Sequence, residues 1–333
     1  MNFVRRYLMT LLGIGISVVA IFWLAGRFDL AEVAATLRSA DPLLMAPTPL
    51  LIVASFVLRA QRWRLVVEHK PPVRYWPSFR ALMIGYLLNN LLPARAGDFA
   101  RALELGRTER MSRTKVLATL VTERAVDLAI TLAILSLVLL SYPALPVWLK
   151  QAGVAIAVVS AVAIGALVLA HTLGQRLVPW VHGWLSRWLP VRLGQRIEAM
   201  AFSALEGIAG MFRPSRAAGF IALTALIWVV EVLMVYLIAR AAGLDLAPGN
   251  ALFVLLVIAI GTMVPSSPGF IGTYEFFGVA ALAIIGITGT SALAFVIVLH
   301  VTTLLGSTFI GAVCFLLRPR TVKPDAEMGK AAV

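Results

Sequence analysis

The chain has 333 residues, of which 60% are hydrophobic and only 14% charged. A soluble domain sits nearer 45–50% apolar and about 25% charged, so this composition excludes one and points to an integral membrane protein. The formal net charge is +13, but the basic residues gather in particular loops. The positive-inside rule and anionic lipid headgroups account for that clustering better than nucleic acid does. The single cysteine, Cys314, excludes an intramolecular disulfide and a metal site of paired cysteines. The sequence holds no G-x-x-x-x-G-K-[ST], H-E-x-x-H or G-x-S-x-G, so no metal, cofactor or catalytic residue is expected.

In chain order, Arg5 and Arg6 precede an apolar run from about Leu8 to Leu24, which reads as an uncleaved first span. A slightly acidic loop, Arg27 to Asp41, leads to a second span over Pro42 to Leu58. A basic loop then carries Arg59, Arg62, Arg64, Lys70, Arg74 and Arg80 and is expected in the cytoplasm. The next apolar run, Ala81 to Leu92, is about twelve residues long, against the roughly 20 that cross a bilayer. It stops at Asn89-Asn90-Leu91-Leu92-Pro93-Ala94-Arg95-Ala96-Gly97-Asp98, where proline and glycine break the helix. The segment beyond, with Arg101, Arg107, Arg110, Arg113 and Lys115, is too charged to cross. The chain is therefore expected to dip into the membrane and return, which is tolerated only inside protein or beside water.

A long span follows over Val116 to Leu140, with Glu123, Arg124 and Asp127 near its start. Ala152 to Ala170 crosses back, and a basic amphipathic linker, 174–216, has Trp180, Trp184 and Trp188 on one stripe. Ala217 to Ala239 goes out again with Glu231 inside it. A second broken hairpin begins with Ala251 to Val264 and turns at Pro265-Ser266-Ser267-Pro268-Gly269-Phe270-Ile271-Gly272-Thr273-Tyr274-Glu275. Ser291 to Leu317 closes the membrane part before a basic tail.

The expected fold is an all-α polytopic membrane protein with about six full spans and two broken, re-entrant hairpins. The unit of span, broken hairpin and span occurs twice, about 42–141 and about 217–317, with Pro93 and Pro265 in corresponding places. Three crossings separate the two starts, so the repeats are expected to be inverted. Paired discontinuous helices of this kind mark the binding site of a transporter.

Candidate site residues follow from the breaks. At the first tip, Arg95 offers a fork of donors for phosphate or carboxylate, and a helix start at Asp98 favours anions. The structural alternative is that Asp98 only caps the helix. At the second tip, Ser267 before Pro268 reads as a helix start, and Gly269 and Gly272 allow backbone to approach a ligand or helices to pack tightly. Tyr274 and Glu275 follow, Glu275 able to pair with an arginine or carry a proton. Glu123 and Asp127 share a helix face and need a cation or proton between them. Arg124 points elsewhere, toward Glu231 or Glu275 of the other half. His300 stands alone in the last span and reads as a packed, hydrogen-bonded residue.

The stretches Asn89–Asp98, Thr122-Glu123-Arg124-Ala125-Val126-Asp127 and Pro268–Glu275 together resemble the signatures of the lysylphosphatidylglycerol synthase transmembrane (flippase-like) family. The resemblance covers roughly Pro42 to Leu317. It implies two inverted repeats with re-entrant helices that move a lipid between leaflets. In two-domain members a cytosolic synthetase adds an amino acid to phosphatidylglycerol; with the chain ending at Val333, aminoacyl transfer is not expected. Other lipids, such as polyprenyl-linked glycans or hopanoids, stay open. The expectation is a non-enzymatic translocase of an anionic lipid in the inner membrane, with both termini cytoplasmic. Its partners are membrane lipids, a second copy of the chain or a lipid-modifying enzyme. A small-anion transporter, a membrane transferase and an accessory subunit are the rival readings.

Overall fold

The computed structural model describes residues 35, 38–67, 72–92, 95–141, 147–185, 214–263 and 266–318. The described part is helical throughout. The helices are α1 (Pro42–Met45), α2 (Thr48–Val66), α3 (Tyr75–Leu91), α4 (Ala96–Thr108), α5 (Arg113–Ser141), α6 (Val147–Leu185), α7 (Pro214–Ala241), α8 (Pro248–Gly261), α9 (Thr273–Ile284) and α10 (Thr290–Leu316). Among the described residues five stretches are long and apolar enough to cross a membrane: Pro42–Val66, Arg113–Ser141, Val147–Ala166, Arg216–Ala241 and Thr290–Leu316. Large side chains such as Leu137, Val162, Ile221 and Phe309 face outward from them, as expected where lipid replaces water. The first span and the three-tryptophan stripe lie outside the described side chains.

Two helical hairpins lie between the long helices. In the first, α3 has 17 residues and α4 has 13, about 26 Å and 20 Å at 1.5 Å per residue, both shorter than the roughly 30 Å hydrocarbon core. The stop is local chemistry. Leu92 is extended (φ −117, ψ 144), the conformation that a following proline imposes. α4 then packs back along α3 through glycine. A Cβ on Gly97 would lie 1.9 Å from the Gly85 carbonyl oxygen. The second hairpin pairs α8, 14 residues, with α9, 12 residues. Between them a 3-10 turn, Pro268–Phe270, carries three left-handed residues nearby: Gly269 (φ 65), Phe270 (φ 60) and Gly272 (φ 87).

Three expectations change. Arg59 and Arg62 are not in a loop, because α2 continues to Val66. The short run Ala81–Leu92 is the second part of a helix that starts at Tyr75. The returning crossing Ala152–Ala170 runs on to Leu185 as one helix.

α10 supports both hairpins. Gly311 lets it touch α3, where an added Cβ would meet the Met83 carbonyl at 2.6 Å. Asn90, at the end of α3, donates to Ser307 (2.9 Å) and Thr308 (3.0 Å) on α10. A core of Phe253, Leu256, Leu282, Phe295 and Leu299 joins α8, α9 and α10. A second core around Trp63, Leu105 and Val116 joins α2, α4 and α5.

Candidate functional site

Both hairpin tips open on one central cavity of about 300 Å³. Arg95 and Asn90 reach it from the first tip, and Gly269, Phe270 and Tyr274 from the second. α2 contributes Arg59 and Arg62, α5 contributes Arg124 and Asp127, α7 contributes Glu231, and α10 contributes His300. Apolar side chains, among them Phe56, Ile130, Ile227 and Leu255, complete the wall. The lining is thus amphipathic, with guanidinium groups set among hydrocarbon.

Arg95 occupies the N-cap of α4 in the left-handed conformation (φ 54, ψ 38), which costs a non-glycine residue roughly 1 kcal/mol. The conformation carries the side chain across to the second tip. There Nη2 donates to the Thr262 carbonyl at the end of α8, and the guanidinium lies 5.4 Å from the Phe270 ring centroid. Its Nε is buried without a hydrogen-bond partner among the described residues. Arg95 makes no ion pair with a described carboxylate.

Asp98 is not at the helix start; it lies in the first turn of α4. The cap is supplied by Asn89, whose Oδ1 accepts from Gly97 N–H at 2.8 Å. Asp98 Oδ1 instead accepts from Asn89 Nδ2 (3.3 Å) and Arg124 Nη2 (3.4 Å). That pairing corrects the expectation for Arg124, which meets neither Glu231 nor Glu275.

The two carboxylates of α5 do have a cation between them. Arg62 Nη2 lies 2.8 Å from Asp127 Oδ2 and 3.5 Å from Glu123 Oε1. Arg101 Nη2, from α4, lies 3.0 Å from Glu123 Oε2, and its guanidinium stacks over Trp63 at 3.7 Å. Arg62, Arg101 and Glu123 are all buried, so each charge depends on the others for stabilisation. Glu231 takes Arg59 as its partner and also accepts from Ser55 Oγ at 2.8 Å. The sequence reading missed Arg59, Arg62 and Arg101. The available signal was helical spacing: Ser55, Arg59 and Arg62 fall at intervals of four and three on the continuation of α2.

The second tip is built differently from its expectation. Ser267 starts only the 3-10 turn, where its Oγ donates to the Ile271 carbonyl at 3.0 Å; α9 begins at Thr273, with Gly272 as its N-cap. Glu275 pairs with His300 rather than an arginine. Its Oε2 accepts from Gly272 N–H at 2.7 Å, and its Oε1 lies 2.6 Å from His300 Nδ1. His300 Nε2 lies 2.8 Å from the Gly269 carbonyl, and the Tyr274 ring stacks on the imidazole at 4.1 Å. His300 is therefore packed and hydrogen-bonded as expected, but it is not alone. Of the candidate residues, Arg95, Arg124, Asp127, Glu231, Gly269, Tyr274 and His300 line the cavity. Asp98, Glu123, Ser267, Gly272 and Glu275 stand behind that lining.

Comparison with known proteins bears on this arrangement. The chain is 27% identical over 259 residues to a UPF0104 membrane protein of Methanothermobacter thermautotrophicus, covering 73% of this chain and 76% of that one. A second UPF0104 membrane protein of the same organism is 23% identical over 94% of this chain and 93% of its own length. The glycosyltransferase AglD of Haloferax volcanii is 26% identical over 89% of this chain, which spans 52% of AglD. No solved structure matches. The family model for the lysylphosphatidylglycerol synthase TM region matches residues 10–311. What matches is a transmembrane region rather than a catalytic domain. The chain is a multi-pass membrane protein that belongs to the lysylphosphatidylglycerol synthase transmembrane-region family.

Proposed function

We propose that the chain is a lipid translocase that moves an anionic or phosphate-bearing lipid between leaflets. The supporting observation is the shared cavity, in which Arg95 from one tip faces Phe270, Gly269 and Tyr274 of the other. Four of the five central arginines have a carboxylate partner: Arg59 with Glu231, Arg62 with Asp127, Arg101 with Glu123 and Arg124 with Asp98. Arg95 is the fifth, and its charge is available to a ligand. Charge at membrane depth marks a transport path more often than a structural need. The hydrocarbon between the arginines suits a headgroup still joined to its acyl chains.

In this reading the hairpins are re-entrant and belong to two inverted repeats, about 42–141 and 217–317. Their tips expose the cavity to one leaflet and then the other. Glu123, Asp127, Glu231 and His300 balance or couple the charge that passes. The protein sits in the plasma (inner) membrane with both termini in the cytoplasm. The likeness to a glycosyltransferase over about half of its length favours one second reading, an accessory subunit of a lipid- or glycan-modifying system.

The test is mass spectrometry of lipids kept by gently purified protein, wild type beside Arg95→Ala. One enriched anionic or glycan-linked lipid that the substitution loses supports translocation through this site. Bulk lipids in bulk proportions on both proteins refute it. A stable partner on purification, with no lipid transfer by the protein alone in vesicles, supports the accessory reading.

A further inference from the structure

The contacts of His300 and Glu275 constrain how many hydrogens the pair holds. A backbone carbonyl only accepts, so the contact of His300 Nε2 with Gly269 O requires a hydrogen on Nε2. A carboxylate oxygen and an unprotonated ring nitrogen cannot approach to the 2.6 Å seen between Glu275 Oε1 and His300 Nδ1 unless a hydrogen lies between them. The pair therefore holds one shared proton, as imidazolium with carboxylate or as neutral imidazole with carboxylic acid. Both groups are largely shielded, with 6% and 13% of their side chains exposed.

The same two residues hold the second tip. Glu275 Oε2 takes Gly272 N–H, and His300 takes Gly269 O, so the turn is clamped at both ends. Between these points lies Phe270 in the left-handed conformation (φ 60), which an L-residue adopts only when its surroundings impose it. Loss of the shared proton leaves a lone pair on Nδ1 facing a carboxylate, and attraction becomes repulsion. The clamp on Gly269 and Gly272 then slackens.

We propose that His300 and Glu275 form a buried proton-binding site whose occupancy sets the conformation of the second hairpin tip. The ligand is the proton itself. The other ionisable groups on the elements that pack on α10 and line the cavity are Tyr274 on α9, Tyr86 on α3, Arg59 and Arg62 on α2 and Glu231 on α7, with Arg124 and Asp127 of α5 on the same wall. Arg59 and Glu231 pair with each other, and Arg95 reaches the tip at Phe270. Among the described ion pairs, Glu275 has His300 as its partner. Use of this proton to drive transport rests on the translocase reading; the site itself does not.

The experiment reads the tip directly and needs no lipid transfer. Ser266 is buried beside the turn and accepts a hydrogen bond from Thr273, so Ser266→Cys in a Cys314→Ser background reports opening. Maleimide labelling of the full chain in detergent is followed across the range where histidine and carboxyl groups exchange protons, about pH 4 to 9. At each pH it is compared with the same protein carrying Glu275→Gln or His300→Ala. A glutamine amide donates to Nδ1 without a titrating proton and still accepts from Gly272, so Glu275→Gln holds the tip shut at every pH. His300→Ala frees it at every pH. Thiolate formation raises the rate of every variant with pH, so the reading is the ratio to Glu275→Gln: the parent matches it at low pH and labels about tenfold faster than it at high pH, the effect of losing one charge-assisted hydrogen bond. Glu275→Gln that keeps the parent's pH dependence, or a parent whose labelling relative to Glu275→Gln is the same at every pH, overturns the proposal.

Discussion

The guanidinium of Arg95 lies over the ring of Phe270, 5.4 Å from its centroid. These residues belong to the tips of different hairpins, and both are held in the left-handed conformation. Each tip thus spends backbone strain on presenting one side chain to the other. Such strain persists only where the surrounding structure imposes it, and it gathers at functional sites.

Replacing Arg95 separates the backbone contribution from the guanidinium. Arg95→Gly relieves the left-handed N-cap, so the protein keeps its melting temperature or gains slightly. It loses the fork, the contact with Thr262 and the stack on Phe270. Lipid retention and vesicle transfer fall about tenfold or more, as expected when a charge-assisted donor pair is deleted. Arg95→Lys keeps the charge but loses the planar fork and falls between the two. Melting curves beside lipid transfer in vesicles check the order. A glycine variant with full transfer would place the headgroup elsewhere.

Arg62 is predicted to be the stability determinant. It serves Asp127 and Glu123 at once and is only 3% exposed. Arg62→Met leaves two carboxylates facing each other, Glu123 with Arg101 as its remaining ion-pair partner, and breaking a buried pair from one side costs about 3–5 kcal/mol. Adding Asp127→Asn removes the repulsion and restores part of that loss. Thermal unfolding in detergent, as a double-mutant cycle, reads the coupling. Equal melting of single and double variants would show that Asp127 is not the residue Arg62 neutralises.

Arg59 and Glu231 offer a different test, because they join α2 to α7 on the cavity wall. Glu231→Gln keeps an oxygen that accepts from Arg59 but removes the opposing charge, and lowers stability by about 1–3 kcal/mol. The exchange Arg59→Glu with Glu231→Arg recovers part of it, since both positions stay within reach. The recovered melting temperature measures the pair itself, and a charge exchange no better than the single variant denies it.

The membrane helices, both hairpins and the stop at Leu92 were legible because they depend on hydropathy, length and proline. These act within a few residues. The ion-pair scheme was not legible. Glu123 and Asp127 announced that a cation was needed, but Arg62 lies 65 residues upstream of Asp127 in what composition marks as a loop. Nothing local tells a snorkelling arginine at a helix end from one turned inward. His300 was read as lone for the same reason, since Glu275 lies 25 residues away on another helix. Asp98 reads as a helix start because aspartate is favoured at N-caps; Asn89, across the turn, supplies the capping oxygen instead.

The first hairpin depends on one close approach, and it fixes where Arg95 stands. An added Cβ on Gly97 would lie 1.9 Å from the Gly85 carbonyl and 2.7 Å from Asn89 N. Both are backbone atoms of α3, so neither can step aside without parting the helices. On Gly85 the added Cβ meets the Arg101 Cβ at 3.0 Å and the Gly97 carbonyl at 3.2 Å, contacts that a small shift relieves. Gly97→Ala is therefore expected to cost about 3 kcal/mol, the upper range of overpacking, and Gly85→Ala about 1 kcal/mol. Moving α4 away from α3 also breaks the Asn89 cap, two residues from Arg95. Gly97→Ala protein that still folds should lose bound lipid along with stability, whereas Gly85→Ala keeps its lipid. Melting and lipid mass spectrometry on both variants check this, and a Gly97→Ala protein that retains lipid would mean that hairpin spacing does not set the headgroup site.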